Sequence, residues 1–90
     1  MRTIILNTDK ISGRDELHDL FQEALSLPEW YGRNLDALFD VLTDIGEDTK
    51  VIVELGGLEQ QSLGAYMRQL LRVLRDAAEE NEQLIVEVRA

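Results

Sequence analysis

Asp36, Asp40 and Asp44 recur at every fourth residue, the spacing that places side chains in one row along a helix. Nothing basic within the segment relieves them, because Arg33 stands at its very start. Like charges four apart destabilise a helix by about 0.2–0.5 kcal/mol per pair. A helix N-terminus favours Asp36, but Asp40 and Asp44 lie too far along to share that effect. Three carboxylates in a row suggest three chemistries. Acid–base catalysis needs a cleft or a partner base, and the surrounding residues offer neither. Cation binding needs about six oxygens wrapped around the ion, which a straight row does not provide, and no EF-hand spacing is present. The third is electrostatic: a row of unrelieved carboxylates attracts a partner of the opposite charge. The row is then a cost to the free protein that a basic partner converts to gain, against the plain alternative of a solvated helix face.

The residues just before the row favour a partner. Leu27-Pro28-Glu29-Trp30-Tyr31-Gly32 places two adjacent aromatics beside it, and Trp and Tyr are enriched among residues that anchor interfaces. Pro28 limits the freedom of this loop. Trp30 is expected to be exposed and Tyr31 buried. His18, the single histidine, is expected on the polar or boundary face of the first helix without a catalytic role. Gly56-Gly57 reads as a turn, since two glycines after a strand are too weak a signal for a phosphate-binding loop.

The charge balance points the same way. Eighteen acidic residues against nine basic ones give a formal charge of −9 and a pI near 4.4. Nucleic-acid backbones are bound by Lys and Arg neutralising phosphates, so this sign argues against a nucleic-acid partner. It suits a basic protein, whose encounter a complementary field accelerates. Ninety residues without cysteine read as one domain, 1–90, that relies on its core rather than on disulfides. The opening residues do not read as a signal peptide, and no stretch approaches a membrane span. A soluble cytoplasmic protein without cofactor or metal is expected.

The elements that must position these residues follow from periodicity. Residues 3–6 form an apolar, β-branched run, read as a buried strand. Ser12, three residues before Asp15, resembles a capping box for a helix that runs to about residue 25. Residues 26–32 are a loop. A second helix starts near Asn34, carries Leu35, Leu38, Phe39, Leu42 and Ile45 on its apolar face, and ends at Gly46 in a left-handed position. Residues 51–55 make a second strand, and 58–63 a short helical turn. A long helix covers about 64–80, with Asn81 as its stop, and 84–88 make a third strand. Strands alternating with helices imply a parallel sheet in a single α/β domain.

At this point the run from Leu27 to Thr43, with Leu27-Pro28, Tyr31-Gly32, Asn34-Leu35-Asp36-Ala37-Leu38 and Asp40, closely resembles the signature of the barstar family of intracellular ribonuclease inhibitors. Looser resemblance extends over the whole chain, including His18 and Arg75-Asp76-Ala77. It implies a three-stranded parallel sheet packed with helices, and an acidic helix face that plugs the active site of a basic, secreted, barnase-like ribonuclease. Asp40 matches the aspartate that takes the phosphate pocket, Asp36 a second contacting acid, and Trp30 an aromatic that packs on a catalytic-site residue. Asn34, Gly32, Phe39 and Thr43 match surrounding contacts, and Asp76 a position where glutamate is familiar. Asp44 belongs to the row by spacing but not to the family pattern. The resemblance implies an antitoxin-like bacterial protein, monomeric when free and paired one-to-one with its target. The alternative is a module of the same fold that neutralises a different basic toxin or host protein.

Overall fold

The three apolar runs pair with one another. The structure, a computed structural model, describes residues 1–8, 11, 13–55 and 64–89. The strands β1 (Arg2–Asn7), β2 (Thr49–Glu54) and β3 (Leu84–Arg89) form a parallel sheet in the order β1-β2-β3. Parallel neighbours need long crossovers. Helices α1 (Arg14–Ala24) and α2 (Leu35–Thr43) supply the first, and α3 (Gly64–Glu80) lies in the second. The expected short turn at 58–63 and the Gly56-Gly57 turn fall outside the described residues.

Side-chain alternation along the strands sets the layers. Ile4, Leu6, Val51, Val53 and Leu84 point into a core completed by Leu17 and Phe21 of α1, Leu38 and Leu42 of α2, and Met67, Leu70 and Leu74 of α3. All three helices contribute to that one core, and on the opposite face the central-strand Ile52 is 5% exposed. Ile5 and Ile85 on that face are 56% and 46% exposed. The run 3–6 is therefore buried on one face rather than both.

The helix ends differ from expectation in instructive ways. The residue at the start of α1 is Gly13, with no side-chain cap, and Ser12 lies outside the described residues. At α2, Asn34 adopts extended backbone and its Oδ1 accepts from the Ala37 N–H at 2.8 Å. The other end of α2 is not a left-handed glycine stop. The helix ends at Thr43, with Asp44 as the C-terminal cap residue at φ −90°, and Gly46 lies outside the left-handed region. The orphan carbonyls are taken by Asn81 instead. Its Nδ2 donates to Leu42 O and Ile45 O, both at 3.0 Å. Asn81 thus follows the last turn of α3 and closes α2 at the same time.

A second tie joins α1, α3 and the loop before α2. His18, expected near the surface, is 2% exposed. Its Nδ1 lies 2.8 Å from the Tyr31 hydroxyl and its Nε2 2.7 Å from the Tyr66 hydroxyl. In a neutral imidazole one ring nitrogen donates and the other accepts, so two hydroxyls satisfy both. The correction has a simple cause: His18 continues a helical row with Phe21 and Leu25, and the two tyrosines remove the cost of burying its polar atoms. Burial lowers its pKa below 6.5, Arg33 adds to the effect, and Asp15 and Asp19 oppose it. Burial, with a further push from Tyr66, raises the Tyr31 hydroxyl to about 12.

Two outcomes follow. Asn81→Asp keeps the shape but replaces the donor with a charge facing carbonyls, so urea denaturation should show a loss of about 1–3 kcal/mol. The second concerns pH. Above about 6.5 both folded and unfolded chains hold His18 neutral; below it the unfolded chain takes the proton first, so stability falls as pH drops through the lowered native pKa. The slope is at most about 1.4 kcal/mol per pH unit for one proton. The chain has one histidine, so His18→Gln should flatten denaturation midpoints between pH 7.5 and 5.5, where the unmodified protein declines.

Candidate protein-interaction face

The face is built on α2 and the loop that leads into it. Leu38 and Leu42 are fully buried, which turns the opposite side of the helix outward. Asp36, Asp40 and Asp44 are all exposed, and none makes an ion pair or side-chain hydrogen bond among the described residues. Asp36 stands in the first turn of α2, where the helix dipole favours it. Asp40 has no such help. Asp44 lies at the C-terminal end, where the dipole opposes its charge.

Arg33 is the cation that sequence places closest to the row, and the fold turns it away. Its Nη2 lies 2.6 Å from Asp19 Oδ1 and donates to Asp15 O at 2.8 Å, while Nη1 donates to Gln22 Oε1 at 2.9 Å. All three partners belong to α1. Arg33 sits at φ +55° and Ser26 at φ +54°, a conformation that costs about 1 kcal/mol or more for a residue with a Cβ. These two left-handed residues bracket the loop, and the Arg33 bonds hold one of them in place.

The loop between them is fastened along its length. Leu27 N–H donates to Gln22 O at 2.9 Å, Gln22 Nε2 to Pro28 O at 3.0 Å, and Tyr31 N–H to Pro28 O at 3.0 Å. Tyr31 is 3% exposed and locked by His18, while its neighbour Trp30 is 80% exposed. The expected division between the two aromatics is what the structure has. A large aromatic surface is thereby held out on the hydrogen-bonded loop that leads into α2.

The remaining predicted residues divide between support and surface. Gly32 is exposed, but a Cβ there would lie 3.0 Å from the Ala37 Cβ and 3.4 Å from Asn34 Nδ2. Its lack of a side chain lets the chain turn tightly into α2. Asn34 is engaged at both ends of its amide, through the cap to Ala37 and a bond from Nδ2 to Gly32 O at 3.2 Å. Thr43 Oγ1 donates to Phe39 O and Asp40 O, both at 3.0 Å. Phe39 is partly buried against the core. Asp76 is exposed on α3, which packs directly against α2. The sequence reading missed the Arg33 clamp, the Tyr66 end of the histidine relay, and the reach of Asn81 to α2. The phase of His18 with Phe21 carried a signal for its burial, whereas the partners of Arg33 and Asn81 lie on other elements and left none.

No group of three or more His, Cys, Asp or Glu side chains among the described residues is arranged to hold a metal ion. Likewise, no helix among them is long and apolar enough to cross a membrane. What the geometry offers is an acidic row without an ion-pair partner among the described residues, on a helix led into by a loop with an exposed indole. Proteins of known sequence bear on its meaning. A putative ribonuclease inhibitor of Bacillus subtilis (strain 168), YrdF, is 38% identical over an alignment of 82 residues that covers 89% of this chain and 89% of that protein. The family model described as Barstar (barnase inhibitor) matches residues 1–90, and with the parallel three-stranded sheet and its helices in place, the chain belongs to the barstar family.

Proposed function

We propose that this protein inhibits a basic ribonuclease by placing the acidic face of α2 in its active site. One observation carries the reading above all: Asp36, Asp40 and Asp44 have no counter-charge among the described residues, and Arg33, the cation next to them in sequence, is committed to α1. A phosphate-binding pocket presents arginine, lysine and histidine to a tetrahedral anion, and a carboxylate replaces that anion with charge-assisted bonds. Asp40, at the middle of the row, is the phosphate mimic. Asp36 adds a second carboxylate, Trp30 supplies the aromatic anchor, and Asp76 reaches in from α3. Phe39 and Thr43 form the flank of the contact, and Gly32 and Asn34 shape its entry while holding the helix start. Inhibition of this kind needs no covalent step and no cofactor.

Membership of a family described as inhibiting barnase supports a barnase-like, secreted-type enzyme as the target. The free protein is monomeric in this reading and forms a one-to-one complex. Its place of action is the cytoplasm, where an antitoxin meets its toxin before export. The net charge of −9 steers encounter with a basic enzyme, so the association rate falls steeply with salt.

Asp40→Ala separates binding from folding. In the complex it leaves the enzyme's cations desolvated and unpaired, so inhibition should weaken by about a hundredfold or more, the scale of losing one partner of a buried ion pair. In the free protein it removes a like-charge neighbour, so urea stability should hold or rise by a few tenths of a kcal/mol. Asp44→Ala should weaken inhibition far less. Titrating a basic, guanyl-preferring ribonuclease with each variant reads both effects. If such enzymes stay fully active under excess inhibitor at low salt, the ribonuclease reading fails, and a different basic toxin or host protein takes its place.

A further inference from the structure

The outer edge of β3 is a second surface, apart from the acidic face. β3 is the last strand of the sheet, so one of its edges has no neighbouring strand among the described residues. Thr49 N–H donates to Gln83 O and Leu55 N–H to Arg89 O, which sets the phase: odd-numbered residues bond to β2. Backbone groups alternate along a strand, so the N–H and C=O of Val86 and Val88 point away from the sheet. Beside them, Leu71, Arg75 and Ala78 of α3 join Val86 and Val88 to line an open groove of about 360 Å³.

Four of the residues that line this groove are apolar and the fifth is Arg75. Arg68, Arg72 and Arg75 are spaced four and three residues apart and so share one stripe of α3. All three are exposed, and none has an ion-pair partner among the described residues. By contrast, Arg2, Arg33, Lys50 and Arg89 are each paired with a carboxylate. A chain with twice as many acids as bases thus carries three guanidiniums without a described ion-pair partner on one stripe of α3, and Arg75 among them lines the groove.

We propose that the β3 edge and the α3 arginine stripe dock an extended acidic segment of another protein, added as a fourth strand. Main-chain bonds to Val86 and Val88 give the ladder. Apolar side chains of the segment settle against Leu71 and Ala78, and its flanking carboxylates meet Arg72 and Arg75. The same charges disfavour a second copy of this chain on this edge. A dyad through β3 would bring two arginine stripes together and join two chains of charge −9.

The probe is the peptide Glu-Thr-Val-Thr-Val-Thr-Glu, which presents two valines flanked by glutamates on one face, titrated into the isotope-labelled full chain by NMR. Saturable shifts at the Val86 and Val88 amides are expected. The double variant Arg72→Glu/Arg75→Glu, exposed and so still folded, should bind about tenfold more weakly. Val88→Pro, which removes an outward N–H that an edge strand can spare, should also weaken binding, and Asp40→Ala should not. Four results overturn the proposal: no shifts at millimolar peptide, equal binding by the double variant, tighter binding of a single-stranded oligoribonucleotide at the same residues, or a concentration-dependent dimer that protects the β3 edge.

Discussion

Helix α2 is nine residues long, below the dozen or so at which even a favourable isolated helix becomes marginal in water, and it carries three carboxylates in one row. Most of what surrounds it holds it against that deficit. Asn34 satisfies a donor at its start, Asn81 gathers carbonyls at its end, and Leu38 and Leu42 bury its apolar side. These supports come from three places: the loop, the far end of α3 and the shared core. A side chain on the outer face contributes to none of them, which leaves that face open to selection for charge.

The loop before α2 is held by a different kind of bond. His18, Tyr31 and Tyr66 form a neutral, fully satisfied polar chain across α1, the loop and α3. A charged group in the same place would carry a large desolvation penalty, and an apolar one would fix no orientation. Arg33 adds a charged clamp at the more exposed side, where partial solvation makes its pairing with Asp19 less costly to form. Between the two ties Trp30 is presented without having to be ordered on contact, which reduces the entropy lost on binding.

Elements whose cause is local were legible in the sequence. The strands, the Asn34 start of α2, the span of α3 and the split between buried Tyr31 and exposed Trp30 follow from alternation, capping chemistry and amphipathic spacing. The end of α2 was misread because Gly46 carries a stop signal of its own, while Asn81, thirty-six residues beyond Ile45, does the capping. His18 was misread because histidine's polarity outweighed its phase, and the two hydroxyls that reverse that balance come from other elements. The row of aspartates was legible as charge, and its lack of a counter-ion among the described residues was not, since Arg33 had to be seen turning towards α1.

That lack of compensation is uneven along the row, and the unevenness singles out one residue. Asp36 is offset by the N-terminus of α2. Asp44 faces the unfavourable end of the dipole but sits at the rim, in the cap position where water reaches it freely. Asp40 lies between, beyond the first turn and before the last, flanked by a like charge on either side. No described side chain pairs with it. When water is stripped from the centre of a contact, the charge there gains most from an opposing cation and loses most without one. The middle of the row is therefore where a partner of the right sign is rewarded and one of the wrong sign rejected.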